Sequence, residues 1–304
     1  MTAAVIPQPA DRPAAGALWM VLSGVAFLGV NAIVKYIGTT IPAAEAAFLR
    51  YSFGSLILLP TLRPLLRQRP SARAMKLFAG RGLLHAGGVG LWFYGMATVP
   101  IAEVQAIGYL SPVLVTVGAA IFLGERLALR RIAAVVVAIL GVGVILRPGF
   151  AAVSLGEVAL VAVAFFFAGS YLVAKRLTET VAPGVIVAMM SIWVTIWLSP
   201  MAIAAWVAPP LAVVAWLAVT AGFASLGHYA MTQAFKLAPV TVTQPVTFLQ
   251  LPFGIAMGAV MFGEPVDIWV VIGGAMIIAA IAFMTWREAV LNRRVTPPTG
   301  ATKI

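Results

Sequence analysis

The chain has 304 residues, of which 62% are hydrophobic and 10% are charged, and its mean hydropathy is +1.04. A soluble globular domain is about 45–50% apolar, so this composition excludes a water-soluble fold. The net charge of +11 comes from lysines and arginines at the ends of apolar stretches. That placement is typical of membrane topology and of contact with anionic lipid, and it gives no support to nucleic-acid binding.

The apolar stretches predict ten membrane-spanning helices, since a span takes roughly 20 mainly apolar residues. If the N-terminus is cytoplasmic and successive spans cross the membrane in alternate directions, nearly all basic residues lie on the cytoplasmic side. Arg81 is counted there, at the start of the third span, and Arg147 lies in an outer loop. Both termini are therefore expected in the cytoplasm. The predicted spans cover residues 17–37, 43–62, 74–97, 102–123, 129–147, 154–175, 184–206, 210–235, 241–262 and 266–286.

Two series of residues recur at nearly constant offsets. Gly16, Gly29 and Lys35 recur 140 residues later, and Pro100, Gln105, Gly124 and Glu125 recur 139 residues later, at Pro239, Gln244, Gly263 and Glu264. Equivalent points are five spans apart, and an odd number of spans reverses the direction across the bilayer. The sequence thus predicts two inverted five-helix repeats, a plan typical of secondary transporters with a site at the repeat interface.

The predicted fold is an all-α membrane protein in which ten transmembrane helices form two inverted repeats around a central cavity. We divide the chain into a cytoplasmic N-terminal tail (residues 1–15), a first repeat (16–149), a second repeat (150–287) and a cytoplasmic C-terminal tail (288–304). The blocks from Pro100 to Glu125 and from Pro239 to Glu264, together with the two halves, resemble the EamA-domain branch of the drug/metabolite transporter superfamily.

Within that superfamily the chain looks most similar to the YddG-type exporters of amino acids, including aromatic ones. The resemblance covers residues 16–287 and implies a cavity surrounded by helices 1, 3, 4, 6, 8 and 9, with helices 5 and 10 at the periphery. It also implies a bacterial-type inner membrane as the location.

Polar and aromatic side chains within the spans are the candidates for lining this cavity, because such groups in a bilayer usually face water or a partner. An asparagine could instead join helices, and each histidine could either titrate or stay neutral and hydrogen-bonded. The candidates are Asn31, His85, Trp92, Gln105, Tyr109, Tyr171, Trp193, His228, Gln233, Gln244 and Gln250.

Three prolines, Pro112, Pro245 and Pro252, predict breaks or hinges in helices 4 and 9, because proline cannot complete the helical ladder. Two basic residues have open roles. Lys35 either reaches outward to the membrane surface or touches substrate. Arg50 either pairs with a glutamate of another helix or meets a substrate carboxylate.

No enzymatic site is expected. The chain has no cysteine, and its only histidines are His85 and His228. A Cys/His zinc site cannot be built, and with Asp11 and Asp267 as the only aspartates a buried Ser-His-Asp triad lacks its natural third member. We therefore predict no catalytic residue, no metal and no cofactor.

These observations together predict an exporter of small metabolites, most of all amino acids including aromatic ones, that works by alternating access. A monomer is compatible with the sequence. Two alternatives within membrane chemistry are an exporter of hydrophobic organic cations or drugs and an intramembrane lipid-modifying enzyme. A third is an assembly or sensor protein.

Overall fold

The computed structural model describes residues 12–63, 70–111, 113–115, 118, 129–147, 152–178, 181, 183–237, 246–247 and 249–295. In this part of the chain the regular structure consists of ten α-helices, one 3₁₀ turn and short helical stretches at 110–111, 113–115, 118 and 246–247, which confirms the predicted all-helical class. The helices are α1 Pro13–Ile37, α2 Ala43–Leu58, α3 Ala72–Thr98, α4 Ile101–Gly108, α5 Leu129–Leu146, α6 Leu155–Thr178, α7 Pro183–Ala204, α8 Leu211–Leu237, α9 Gln250–Phe262 and α10 Ile268–Val295.

Among the described residues, four helices are long and apolar enough to cross a membrane by themselves. They lie within α1, α6, α7 and α8, and shorter apolar helices lie in α4, α5, α9 and α10. α2 has 16 residues and continues into the 3₁₀ turn Leu59–Leu62. α10 extends to Val295, past the predicted end of the tenth span at residue 286.

Two helices are broken where the sequence places a proline shortly afterwards. The helix that starts at Ile101 has a turn at Tyr109, and a turn at Leu249 precedes α9. Each turn lies three residues before a proline, Pro112 or Pro252. The pyrrolidine ring clashes with the carbonyl of the fourth residue before it and offers no N–H. This explains the turns at Tyr109 and Leu249, which fall within the predicted fourth and ninth spans.

The helix pairings follow a two-fold pattern in which helix n of the first half corresponds to helix n+5. α1 packs on α8 and α3 packs on α6, while α2 pairs with α7, α4 with α9 and α5 with α10. If the two halves are exchanged, the contact of α1 with α8 becomes that of α6 with α3, and each of the other three contacts becomes itself. Ser55 and Thr195, which are 140 positions apart, meet each other at 3.4 Å across this pseudo-axis.

Close approach between helices depends on glycine. A Cβ on Gly141 of α5 would lie 2.8 Å from the carbonyl oxygen of Gly273 in α10. Only glycine accommodates so near a neighbouring backbone, and such small residues are typical of helix contacts in membranes. Gly141 and Gly273 thus contact each other within one chain.

One end of the bundle, which we call the distal end, lies opposite the start of α1. Here Lys35 Nζ lies 2.8 Å from Glu264 Oε1 and donates to the carbonyl oxygen of Val99 at 2.7 Å. Glu264 Oε2 also accepts from the backbone N–H of Ile101 at 2.8 Å. Gly263 ends α9 in the left-handed region, with φ of 63°, and turns the chain so that Glu264 reaches these partners. The Lys35–Glu264 pair ties α1 and α4 of the first half to the second half.

Candidate functional site

The interior of the bundle contains a group of polar side chains that we call the central polar cluster. α2 and α3 supply it from the first half, and α6 and α8 supply it from the second half. Its position at the interface of the halves matches the place where inverted-repeat transporters hold their site. The members are Arg50, Tyr51, Arg81, His85, Ser170, Tyr171 and His228.

His85 is the best connected member of the cluster. Its Nε2 lies 2.9 Å from Tyr51 Oη and its Nδ1 lies 3.3 Å from Ser170 Oγ. The Phe167 ring stacks on it with centroids 4.9 Å apart. Both ring nitrogens therefore have a hydroxyl partner, as expected for a hydrogen-bonded interior histidine. His228 of α8 contacts the Phe27 ring of α1 edge-on, with ring centroids 5.1 Å apart.

Two arginines reach the same interior region. Arg50 is 8% exposed, and its Cζ lies 3.9 Å from the centroid of the Tyr51 ring. Arg81 is 6% exposed, and its Nη1 donates to the carbonyl oxygen of Ile186 at 3.0 Å, while its Nε is buried with no partner among the described residues. Arg81 is expected at the cytoplasmic start of the third span, and in the structure it lies within α3, which starts at Ala72, with a buried side chain.

Tyr171 follows Ser170 of the cluster on α6. Its side chain is 44% exposed. The ring of Phe167 lies 6.3 Å away on the same helix. Tyr171 and Phe167 thus place two aromatic rings side by side on α6, next to the hydrogen-bonded pair of His85 and Ser170.

A second set of predicted residues lies along α1, α4 and α9. Tyr109 Oη donates to the carbonyl oxygen of Thr247 at 3.1 Å, which links the two broken helices. Gln105 packs against Gly254, and its Nε2 is buried with no partner among the described residues. Gln250 lies against Gly24 of α1. The break regions of the two halves thus contact each other.

Asn31 and Trp92 lie on the first half's side of the interior. Asn31 is 5% exposed. Trp92 is half-buried, and its ring meets Phe93 edge-on at 5.4 Å. Neither residue contacts the central polar cluster through a hydrogen bond among the described residues.

The other predicted site residues lie elsewhere. Trp193 packs against Gly82 of α3 and stacks on Trp197 at 6.3 Å. Gln233 donates to Tyr229 Oη at 2.8 Å in an exposed position. Pro252 is exposed in the first turn of α9, where proline is tolerated. Gln244, Pro112 and Pro245 lie outside the described residues.

Sequence reasoning missed four residues of this region, namely Tyr51, Arg81, Phe167 and Ser170. A signal was present for Arg81, because it lies well inside an apolar stretch and a charge there is costly unless it has a function. Tyr51 follows Arg50 directly and could have been considered with it. Nothing in the sequence distinguishes Ser170 and Phe167 from ordinary helix residues.

The chemistry of the region is that of binding. The described residues contain no group of histidine and acidic side chains that could hold a metal ion. The acidic side chains that the structure describes lie at the distal end, where Glu45 accepts from the Val207 N–H, Glu157 caps α6, and Asp267 pairs with Arg147. The cluster therefore combines positive charge, hydroxyl groups and aromatic surfaces.

Comparison with known proteins identifies related chains. The model of the EamA-like transporter family matches residues 14–147 and 154–286. A riboflavin transporter of Rhizobium johnstonii is 31% identical over 291 residues, which cover 93% of this chain and 95% of that protein.

Two further relatives move other metabolites. An S-adenosylmethionine uptake transporter of Rickettsia prowazekii is 26% identical, covering 90% of this chain and 93% of that protein. The pseudopaline exporter CntI of Pseudomonas aeruginosa is 27% identical, covering 89% of this chain and 95% of that protein. None of these three relatives is named as an amino-acid exporter.

Proposed function

The chain belongs to the EamA-like transporter family, and we propose that it moves small metabolites with an aromatic body across the membrane by alternating access. It is a multi-pass membrane transporter of small metabolites and not an enzyme. This confirms the predicted class and removes the alternative of a lipid-modifying enzyme. The predicted specificity for amino acids forms part of the proposal.

The central polar cluster is the observation that carries the proposal. It draws residues from both halves of an inverted repeat, and rocking of one half against the other would expose such a site to each side in turn. Phe167 and Tyr171 offer aromatic surface for a flat ring system, and hydroxyl groups beside them offer hydrogen bonds.

Two substrate candidates follow from different observations. Riboflavin is favoured by the name of the Rhizobium johnstonii relative. Aromatic amino acids, the cargo of the YddG-type exporters that the sequence resembles, are favoured by Arg50, because its guanidinium has no carboxylate partner among the described residues. Organic cations are disfavoured, since two arginines in the cluster would repel them.

Movement would involve the broken helices and the distal end. We propose that the breaks at Tyr109 and Leu249 act as hinges, since they interrupt α4 and α9 at matching places and contact each other through Tyr109 and Thr247. The Lys35–Glu264 ion pair would hold the distal end closed in the described arrangement. We propose that this end faces away from the cytoplasm and that the membrane is a bacterial inner membrane.

Counterflow in liposomes tests the transport proposal. Purified protein would be reconstituted in liposomes loaded with unlabelled riboflavin or tryptophan, and uptake of the matching tracer would be compared with that of protein-free liposomes. We expect tracer to accumulate as the intact compound with at least one of the two. Absence of accumulation with both, in protein shown to be folded, would contradict the proposal.

A further inference from the structure

We infer that Arg50, with Arg81 beside it, forms a subsite for an oxyanion of the transported molecule, a carboxylate or phosphate attached to the aromatic body. This inference rests on the proposed transport function and names the charge that the site recognises. The name of the Rhizobium johnstonii relative does not imply it, because riboflavin carries neither group.

The argument starts from the burial of Arg50. Its side chain is 8% exposed near the middle of α2, about 10 Å along the helix from its start at Ala43. Arginine at membrane depth is costly and usually faces a partner or a wet cavity. The described residues give it one contact of this kind, the face of the Tyr51 ring at 3.9 Å from Cζ.

A protein carboxylate does not fill this role in the described part of the chain. The described acidic groups with partners, Glu45, Glu157, Glu264 and Asp267, bond to groups at the distal end. No side-chain nitrogen of Arg50 makes a hydrogen bond or ion pair with a described residue, so the N–H groups of its guanidinium remain available to a ligand.

Arg81 adds a second positive charge to the same space. Arg81 lies one helical turn before His85 on α3, and Arg50 packs on the ring of Tyr51, whose hydroxyl lies 2.9 Å from His85 Nε2. The two arginines therefore flank the same histidine. His85 bonds to two hydroxyl groups and brings no negative charge. The unbalanced charge of this region thus favours an anion.

The geometry of Arg50 suits an oxyanion on an aromatic molecule. Stacking on Tyr51 holds the guanidinium plane and leaves its N–H fork free, and this fork binds carboxylate or phosphate through two parallel hydrogen bonds. Tyr171 and Phe167 then offer ring surface for the body of the same molecule.

Matched pairs of probes test the inference in the full-length protein. Tryptophan and tryptophan amide differ in the carboxylate, and riboflavin 5′-phosphate and riboflavin differ in the phosphate. Each probe would be measured as a competitor in counterflow and, separately, as a stabiliser in thermal unfolding, which needs no transport. We expect the wild type to prefer the anionic member of at least one pair.

Arg50→Gln should abolish that preference. Loss of a charge-assisted hydrogen bond is worth about 1.5–3 kcal/mol, so the half-saturating concentration of the anionic probe should rise roughly tenfold or more while that of its partner changes little. Arg50→Lys, which keeps the charge without the fork, should retain part of the preference. Arg12→Gln, an equal change at an exposed arginine, is the control.

The outcomes separate the two proposals. A carboxylate is the ligand if the tryptophan pair responds to Arg50, and a phosphate is the ligand if the flavin pair responds. Equal preferences in the wild type and Arg50→Gln, in both measurements, would overturn the subsite. Arg50-dependent stabilisation without any counterflow would instead keep the subsite and contradict transport of these probes. If Arg50→Gln does not fold, Arg50→Met takes its place, and wild-type preference in every pair would overturn the subsite.

Discussion

Buried charge is unevenly distributed among the residues of this protein. The described acidic groups lie at the distal end, whereas Arg50 and Arg81 lie in the interior beside aromatic rings. Unpaired charge inside a membrane protein is expensive and marks functional sites. At the scale of single residues, the site is therefore defined by the charged side chains that have no oppositely charged partner among the described residues. Whether a charge has such a partner depends on all the helices around it.

The cavity assignment of Tyr171 can be tested with cysteine substitutions, since the chain has no cysteine of its own. Tyr171 is 44% exposed and Phe165 is 58% exposed on the same helix. A thiol reacts as the thiolate, which requires water. Tyr171→Cys should thus react with a polar thiol reagent several-fold faster than Phe165→Cys, as measured by mass spectrometry. Equal rates, or a faster reaction at Phe165→Cys, would place Tyr171 against lipid.

Helices in this protein meet through small residues on specific faces. Gly141 and Gly273 bring α5 and α10 into backbone contact, while Gly143, two residues further along α5, has no neighbour within 4 Å of a Cβ placed on it. Apolar interaction with lipid is as favourable as with another helix, so close packing determines such pairings. The two glycines of α5 therefore have different importance despite their similar sequence context.

Gly141→Val should destabilise the protein by about 1–3 kcal/mol, because the added side chain forces the α5 and α10 backbones apart. Gly143→Val is the matched control. It carries the same change of helix propensity but meets open space, so its effect should be clearly smaller. Thermal unfolding of both variants in detergent measures the difference. Equal losses would show that helix propensity, and not the crossing, is responsible.

The whole molecule is held together differently at its two ends. At the distal end the Lys35–Glu264 and Arg147–Asp267 pairs join the two halves. At the other end, the backbone N–H of Arg12 donates to the carbonyl oxygen of Leu237, where α1 begins and α8 ends. Ion pairs that cross between the halves can break and re-form, which suits a carrier that alternates between two conformations.

The orientation of the whole molecule can be tested with reporters. The basic residues near the span ends predict that both termini are cytoplasmic. A fluorescent protein fused after Ile304 should therefore fluoresce, and alkaline phosphatase at the same place should be inactive. The reverse is expected for a truncated fusion after Arg147 in the predicted outer loop. Phosphatase activity after Ile304 would contradict the predicted topology.

The sequence by itself determined the membrane class, the duplicated plan and most helix boundaries. Hydropathy adds up locally along the chain, so α1, α6 and α8 begin and end within a few residues of their predicted limits. The repeated residues likewise predicted the pairing of corresponding halves that the helix contacts show. These features need no knowledge of how one helix is rotated against another.

The tertiary structure alone decided which polar residues meet. His85 finds its partners 34 and 85 residues away, at Tyr51 and Ser170, and Arg81 proves to be buried. Candidates such as Trp193 and Gln233 lie apart from this group. The physical reason is that a site depends on the rotation and close packing of several helices, and these are set by contacts between residues far apart in the chain.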